Sequence, residues 1–272
     1  TTGCCTLNGG TNGAGVRTMG TAIVVAHRGG GGVRPENTVS AFDHAVGLGC
    51  WFLELDVRAT SDGIPVVIHD AQVDRVSDGQ GPVSKYAASE LADLDAGYNW
   101  SEDGRSFPFR SQGIRIPTLR EVFDRYPRAW ISIDIKAADP RLTAAVAELV
   151  TSFERADRTV VGSFSCRTAR GFRRLEPNAH ASACPMEVRR TVAAAVSGLQ
   201  PLVPRHPDFF MVPEQWGRVH IVTPRFLALA ARGAKRVYVW TVNDAETAVR
   251  LSDAGVDGLV TDFPGRIAAA LG

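Results

Sequence analysis

Residues 24–70 decide the fold, because three short apolar runs within them become ionisable only at their last positions. The runs are VVAH over 24–27, FLELD over 52–56 and VVIH over 66–69. A strand buried in a parallel barrel is typically a continuous hydrophobic run, and catalytic residues of such barrels lie at the carboxyl ends of strands. The pattern therefore predicts a barrel with a catalytic mouth. The ionisable residues at its strand ends are His27, Glu54, Asp56 and His69.

The two carboxylates are the most closely constrained of these residues, because they lie two positions apart in LELDV. Side chains on a strand alternate between the two faces of the sheet. Glu54 and Asp56 should therefore point in the same direction, while Leu53, Leu55 and Val57 point in the other. The spacing predicts that both carboxylates converge on one site.

A hairpin is predicted to carry a histidine back to these carboxylates. The next strand begins at Pro65, too soon after the preceding one for a crossover helix, and Asp62-Gly63 is a common hairpin turn. If these two residues form the loop, His69 lies directly across from Asp56. Directly opposed residues share a face of the sheet, so His69 is expected beside the carboxylates.

The segment ISIDIK, residues 131–136, repeats this polar and apolar alternation. Its three isoleucines fall on one face, and Ser132, Asp134 and Lys136 fall on the other. A third carboxylate would complete an oxygen-rich site for a hard cation, Mg2+ or Ca2+, beside a phosphate. Zinc fits less well, since no His or Cys pair has a spacing such as HExxH or CxxC.

The segment HRGGGGVRPENTVSAFDHAVGLGCWFLELDVRATSDGIPVVIHD, residues 27–70, resembles the opening signature of the glycerophosphodiester phosphodiesterases. The HRG and PENT blocks precede an E-x-D strand and a strand that ends in His-Asp. Similar blocks continue along the chain as DRVSDGQG, SELADLDAG, IPTLREVF, VWTVN and GLVTDFP. The resemblance extends from about Ile23 to Arg266, and its specificity comes from the number, order and spacing of the blocks.

The resemblance implies metal-dependent hydrolysis of a glycerophosphodiester to glycerol 3-phosphate and an alcohol. It implies that His27 and His69 are the acid and base, that Glu54, Asp56 and Asp134 hold the metal, that Arg28 and Lys136 contact phosphate, and that Trp240 lines the substrate site. One position differs, because the family usually has Glu where this chain has Asp134. The Asp134 side chain is one methylene shorter than Glu. Two alternatives therefore stay open, in which Asp134 binds the metal directly or through a water molecule.

Structural roles are the alternatives for several of these residues. A lone strand-end histidine or a carboxylate pair is more often an ordinary polar group, but burying unpaired charges on several apolar strands costs several kcal/mol. Arg28 and Lys136 have structural ion pairs as their alternative role. Asn37 and Thr38 precede a helical pattern and are predicted to form an N-cap rather than to contact substrate. The four consecutive glycines, residues 29–32, are weak evidence for phosphate binding without a further motif.

Two other functions stay open on the sequence. A lysophospholipase D acting on an acyl-bearing diester would use the same barrel and would require an apolar groove. A noncatalytic phosphodiester-binding barrel would have no need of both His27 and His69.

Nine candidate strands are present, and assigning the one that ends at His69 to a hairpin leaves eight for a (β/α)8 TIM barrel. The predicted barrel spans residues 23–272, after a flexible N-terminal extension over 1–22. Residues 71–115 form a predicted insertion, which resembles the family's insertion and would stand over the mouth. A connection of this length in a compact domain is usually functional.

Composition is that of an ordinary soluble enzyme with a small-molecule substrate. The chain has 272 residues, 44% of them hydrophobic, and a formal net charge of +1, so nothing favours nucleic acid or membrane binding. No apolar run is long enough for a transmembrane segment. The five cysteines are odd in number and without a framework spacing, which predicts a reduced, cytoplasmic protein. An exported form is the alternative, and the oligomeric state is not predicted.

Overall fold

The computed structural model describes residues 21–198 and 206–272. Most of the predicted N-terminal extension, residues 1–20, lies outside the described residues. The strands are β1 (Ile23–Ala26), β2 (Phe52–Ala59), β3 (Pro65–Val67), β4 (Trp130–Ile135), β5 (Thr159–Gly162), β6 (His180–Ala181), β7 (Phe209–Pro213), β8 (Gln215–Trp216), β9 (Val219–His220), β10 (Arg236–Trp240) and β11 (Gly258–Thr261).

Eight of these strands pair in parallel to form the barrel. Their order is β6-β5-β4-β2-β1-β11-β10-β7, and a parallel bridge between Ser182 and Phe209 joins the two ends of the sheet. The helices are α1 (Val39–Gly47), α2 (Ala88–Ala92), α3 (Leu119–Arg125), α4 (Pro140–Ser152), α5 (Cys166–Leu175), α6 (Pro185–Ser197), α7 (Pro224–Arg232), α8 (Ala245–Asp253) and α9 (Pro264–Leu271). The alternation of strand and helix confirms the predicted (β/α)8 barrel.

The hairpin formed by β2 and β3 is present, but its predicted register is wrong by one residue. Val57 pairs with Val67 and Ala59 with Pro65, so Asp56 lies opposite Ile68 rather than His69. The loop has three residues, 61–63, with Gly63 in the left-handed region at φ 79°. A third loop residue of this conformation is the usual alternative to a two-residue turn. His69 therefore reaches the mouth from the segment that follows β3.

Apolar faces of the strands pack in two layers. Leu53, Leu55 and Val57 lie outside the barrel, in a cluster with residues of α1, α3 and α4, as their alternation with the carboxylates predicts. Inside the barrel, a separate cluster includes Val25, Phe52, Phe209, Tyr238 and Val260. The polar strand ends consequently lie above a solid apolar interior.

The insertion over residues 71–115 has a small core of its own. Val73, Val83, Leu91 and Ala96 are buried in it together with Ile68 of the hairpin segment. None of its described residues lines the central cavity. It contacts the surroundings of the site instead, where Arg75 pairs with Asp70 and Trp100 Nε1 donates to the Gly31 carbonyl oxygen.

The cysteine prediction is wrong, because Cys166 and Cys184 form a disulfide. Cys50 is buried, with its Sγ 3.3 Å from the Val24 carbonyl oxygen, and Cys4 and Cys5 lie outside the described residues. Disulfides persist mainly in oxidising compartments. The cysteines consequently no longer support the predicted cytoplasmic location. Within the described ranges, no helix is both long and apolar enough to cross a membrane.

Candidate active site

A cavity of about 580 Å³ opens at the carboxyl ends of the barrel strands. All the residues that the sequence pattern and the resemblance singled out line it together. They are His27, Arg28, Glu54, Asp56, His69, Asp134, Lys136 and Trp240. The strand-end pattern therefore located the mouth of the barrel correctly.

The carboxylates converge because β2 and β4 are parallel neighbours in register. Asp56 pairs with Asp134, and Glu54 pairs with Ser132. Residues paired in this way project from the same face of the sheet. Glu54 is only 8% exposed and Asp56 only 1% exposed, so both would be costly to ionise without nearby donors or cations.

Asp56 has such partners on both of its oxygens. Lys136 Nζ lies 2.8 Å from Oδ1, while Asn37 Nδ2 donates to Oδ2 at 2.9 Å and Arg28 Nε lies 3.3 Å from it. Burial opposes ionisation, but Lys136 and Arg28 hold the pKa of Asp56 below its usual range. Asn37 thus holds a site carboxylate and is not part of the N-cap, which Thr38 provides as predicted.

Glu54 and Asp134 are less completely neutralised. Burial, with the nearby Asp56 charge, raises the pKa of Glu54 to about 7, although the Arg28 backbone N–H donates to its Oε2 at 2.9 Å. Burial also raises the pKa of Asp134, whose Oδ2 accepts from Lys136 Nζ at 2.7 Å. Its buried Oδ1 has no hydrogen-bond partner within the described part of the chain. The site therefore holds more carboxylate charge than its cations offset.

The donor set fits a hard divalent cation in its chemistry, since buried carboxylate oxygens are the ligands that Mg2+ and Ca2+ prefer. The ligands are not preassembled, however. Residues 21–198 and 206–272 contain no group of three or more His, Cys, Asp or Glu side chains arranged to hold a metal. The Lys136 ammonium lies between Asp56 and Asp134 and pairs with both. Arg28 and Lys136 thus form ion pairs with carboxylates of the site, and their side chains also line the cavity.

His27 follows β1 and is oriented by a carboxylate from the other end of the chain. Its Nδ1 lies 2.6 Å from Oδ1 of Asp262, and Asn243 donates to the other oxygen of Asp262 at 2.8 Å. Burial lowers the pKa of His27, but the hydrogen bond that its ring donates to Asp262 and the charge of Glu54 outweigh this effect, and the pKa lies above its usual range. Asp262 therefore favours the imidazolium form.

His69 has a similar partner, its neighbour Asp70, whose Oδ1 lies 2.6 Å from His69 Nδ1. Despite partial burial, Arg75 and His69 lower the pKa of Asp70 to about 2. An ionised carboxylate can only accept a hydrogen bond, so Nδ1 of His69 carries the proton. The other ring nitrogen, Nε2, is left for chemistry.

Glu36 connects the residues around His27 with those around His69. Its carboxylate accepts from Arg28 at 2.9 Å and from both terminal nitrogens of Arg75, which also pairs with Asp70. Burial opposes its ionisation, but the two arginines hold the pKa of Glu36 below its usual range.

Sequence reasoning quoted the blocks that contain Glu36, Asp262 and Asp70 but assigned them no role. Glu36 lies in the PENT block, Asp262 lies in GLVTDFP, and Asp70 follows His69 directly. The glycine run has a packing role rather than a place in the cavity. A Cβ on Gly29 would lie 2.8 Å from the Ala41 Cβ, and Gly30 has a φ of 98°.

Trp240 lies at the border between two chemically different halves of the cavity. It contacts Phe164 edge to face, and the Phe164 ring lies 5.8 Å from Lys136 Nζ. Beyond this pair the lining is mainly apolar and comes from β7, α6 and the β8–β9 hairpin. We term this part the apolar arm, defined by Val188, Val192, Met211, Trp216, Val219 and Ile221.

Comparison with known proteins agrees with this geometry. The model of the glycerophosphoryl diester phosphodiesterase family matches residues 27–266. A glycerophosphodiester phosphodiesterase of Caldanaerobacter subterraneus subsp. tengcongensis is 30% identical over 89% of this chain and 94% of its own length. A lysophospholipase D of Rattus norvegicus is 31% identical over 89% of this chain and 84% of its own.

A solved structure shows the same architecture. It is an Oleispira antarctica phosphodiesterase in complex with the product sn-glycerol-3-phosphate, and it aligns with a TM-score of 0.74 and 26% identity over 92% of this chain and 97% of that chain. The residues that match the family model begin directly after β1 and include the other seven strands of the barrel. The chain belongs to the glycerophosphoryl diester phosphodiesterase family.

Proposed function

We propose that the protein hydrolyses glycerophosphodiesters to glycerol 3-phosphate and an alcohol, with a divalent cation and two histidines. One observation carries the proposal: two imidazoles, each hydrogen-bonded to a carboxylate through Nδ1, face the same cavity as two buried carboxylates, one half-buried carboxylate and two cationic side chains. The curated relatives with this named activity support it.

His27 and His69 would act as the acid and base. With Nδ1 held by Asp262 or Asp70, each ring presents Nε2 for proton transfer. One imidazole would deprotonate the nucleophile, and the other would protonate the departing alcohol oxygen, so that no alkoxide has to leave. The raised pKa of His27 suits it to hold a proton near neutral pH. The assignment of acid and base stays open, as does the choice between water and a substrate hydroxyl as nucleophile.

Glu54, Asp56 and Asp134 would hold the cation. The raised pKa values of Glu54 and Asp134, together with the unpartnered Oδ1 of Asp134, support this assignment, because a cation would stabilise the ionised forms of both side chains. When bound by these carboxylates, Mg2+ or Ca2+ would stabilise the negative charge of the phosphate during the reaction. Lys136 would exchange part of its pairing with Asp56 and Asp134 for contact with the phosphate.

The remaining predicted residues would orient the substrate. Arg28 and Lys136 offer positive charge to a phosphate, because both line the cavity while paired with carboxylates. Trp240 would contact the glycerol or its substituent from the border of the two halves. Asp262, Asp70 and Glu36 are positioning residues, since they act through the histidines and Arg28.

Lysophospholipase D activity is the second candidate, and the apolar arm is the observation that favours it. The two reactions break the same phosphate–alcohol bond and differ in whether the glycerol carries an acyl chain. The rat relative bears the lysophospholipase D name. A noncatalytic barrel is disfavoured, since binding alone needs no second carboxylate-held imidazole.

The deciding experiment is a turnover assay with glycerophosphocholine, after exhaustive chelation and again after addition of Mg2+ or Ca2+. We expect chelation to abolish release of choline and one of the two ions to restore it. Calorimetric titration of the chelated protein with each ion provides a readout that does not depend on turnover. Full activity after chelation would contradict the metal role of the three carboxylates.

A further inference from the structure

The insertion over residues 71–115 contacts both segments that carry a histidine of the site. It has a small apolar core of its own, which includes Val73 and Leu91 and lies beside the barrel. None of its described residues lines the cavity. An effect of the insertion on the reaction would therefore have to act through residues of the barrel. Two of its side chains make suitable contacts, Arg75 and Trp100.

Arg75 holds two carboxylates at once. Its two terminal nitrogens donate to the two oxygens of Glu36 at 2.8 and 2.7 Å, and its Nε donates to Oδ2 of Asp70. The planar guanidinium thus uses all three of its nitrogens, and its rigid fork suits bidentate binding of a carboxylate. Arg75 therefore fixes Glu36 and Asp70 relative to each other.

Each of these carboxylates contacts one of the two histidine segments. The other oxygen of Asp70, Oδ1, lies 2.6 Å from Nδ1 of His69. Glu36 Oε1 also accepts at 2.9 Å from Nη1 of Arg28, the residue after the first histidine. Arg75 consequently joins His69 to the segment of the other histidine by a continuous chain of charge-assisted hydrogen bonds.

Trp100 provides a second contact between the insertion and the same part of the barrel. Its Nε1 donates to the Gly31 carbonyl oxygen at 3.0 Å. The Trp100 ring packs edge to face against Phe109, and the Phe109 ring lies 5.1 Å from the Arg34 guanidinium carbon. Gly31 and Arg34 belong to the loop over residues 27–37, so the insertion holds this loop at two points.

An ordinary surface ion pair of the same insertion shows how the Arg75 contacts differ. Arg115 lies 3.3 Å from Glu121, both side chains are exposed, and neither residue lines the cavity. Exposed pairs of this kind contribute little to stability. The Glu36 side chain, by contrast, is only 17% exposed and is shared by Arg75 and Arg28. The Arg75 contacts are therefore part of the immediate surroundings of the site.

We infer that the insertion positions the acid and base for the reaction, with Arg75 as the positioning residue that holds His69 and Arg28 in a fixed relation. The inference rests on the proposed function, since it concerns how that reaction is aligned. One imidazole must face the nucleophile and the other the leaving oxygen of the same phosphodiester. A displacement of about 1 Å can cost roughly 100-fold in rate. Because Arg28 is held through Glu36, contact with the phosphate depends on the same guanidinium.

Arg75→Ala tests this role in the full chain, with glycerophosphocholine as substrate. We expect kcat to fall by about 10- to 100-fold and KM to rise, because both His69 and Arg28 lose a fixed arrangement of partners. Free guanidinium, added below denaturing concentrations, should restore part of kcat by binding between Glu36 and Asp70. Arg75→Lys should stay below the parent rate, since an ammonium cannot bind both carboxylates in the same geometry.

Two further variants show whether the effect belongs to this contact. Arg115→Ala is the matched control, because it removes an exposed arginine from the same insertion. It should keep the parent kcat and show no response to guanidinium. Trp100→Phe removes the donor to Gly31 and keeps an aromatic ring, so its loss of kcat should be smaller than that of Arg75→Ala.

The ring nitrogen resonances of His69 provide a readout that does not depend on turnover. NMR spectra recorded at alkaline pH, with His69→Ala to assign the signals, should show the proton on Nδ1 in the parent protein, because the carboxylate that this nitrogen contacts can only accept. In Arg75→Ala, part of the population should carry the proton on Nε2. Added guanidinium should reverse this change.

These measurements separate failure of this inference from failure of the proposed function. If the parent protein does not hydrolyse glycerophosphocholine but Arg75→Ala changes the His69 tautomer reversibly, the positioning role stands and the proposed function fails. If the parent protein is active and Arg75→Ala keeps both its kcat and its tautomer, the positioning role is overturned. A fall in kcat that guanidinium does not restore, with the tautomer unchanged, would be a purely structural effect and would overturn it as well.

Discussion

The two halves of the cavity are built in opposite ways. In the polar half, β2, β4 and the segment after β1 supply side chains that are mostly buried, such as Asp56 with partners on both oxygens. In the apolar arm, side chains such as Trp216 are largely exposed, and the lining residues make few directional contacts. Proton transfer requires fixed geometry, whereas hydrocarbon binding is non-directional. The proposed reaction chemistry therefore depends on the polar half, and substitutions in the two halves should have different effects.

Loss of either histidine is the largest expected effect and should act on the polar half alone. His27→Ala and His69→Ala should each lower kcat by about two to four orders of magnitude, because a general acid or base is removed. Choline release measures the effect, and circular dichroism checks the fold. His44→Ala, on α1 and outside the cavity, is the control that should keep full activity. Near-normal turnover by either site variant would remove that histidine from the mechanism.

An activated leaving group separates the two roles within this prediction. p-Nitrophenolate needs little protonation as it departs, so a p-nitrophenyl phosphodiester should rescue the variant that lacks the acid. Rescue of neither variant would mean that the acid and base pairing is wrong.

Substitutions of Asp134 test whether this residue binds the metal as the Glu at this position of the family is expected to do. Asp134→Asn should weaken metal binding by at least the roughly tenfold that loss of an outer-shell partner costs, because it removes charge from a proposed ligand. Asp134→Glu should preserve or tighten binding if ligation is direct. If water intervenes, the longer side chain should tighten metal binding and lower kcat. Calorimetry and kcat measure the two effects, and no change in either variant would make Asp134 a bystander.

Asp262→Asn should move one limb of the pH profile without touching the apolar arm. The Asp262 carboxylate helps to raise the pKa of His27, so its loss lowers that pKa and moves the limb set by His27 to lower pH. If His27 is the acid, the basic limb of kcat/KM moves, and if it is the base, the acidic limb moves. A profile with both limbs in place would show that the 2.6 Å contact has no catalytic effect.

Removal of the disulfide should have the smallest effect on catalysis. It tests the apolar arm, because Cys184 is the N-cap of α6. Replacing Cys166 and Cys184 by Ser should lower the free energy of unfolding by about 2–4 kcal/mol, because the denatured chain loses a closed loop. Glycerophosphocholine turnover should stay close to that of the parent protein. Urea unfolding measures the difference, and the reduced parent protein should match the double variant. A large loss of turnover would show that catalysis in the polar half depends on the structure around α6.

Local pattern predicted most of the polar half, because alternation along a strand depends only on neighbouring residues. The convergence of Glu54, Asp56 and Asp134 was predicted from this two-residue alternation of side chains. The hairpin was predicted correctly, but its register was not, since two-residue and three-residue loops are both compatible with Asp62-Gly63.

By itself, then, the sequence determined the barrel, its catalytic mouth and the ionisable residues that line it, because these depend on short-range periodicity and strand ends. Tertiary structure alone decided which partners those residues have and what lies opposite them. The Asp262 partner of His27 is 235 positions away, and the apolar arm combines α6 with the hairpin that follows β7. Such contacts depend on how the barrel closes, and no local pattern encodes that closure.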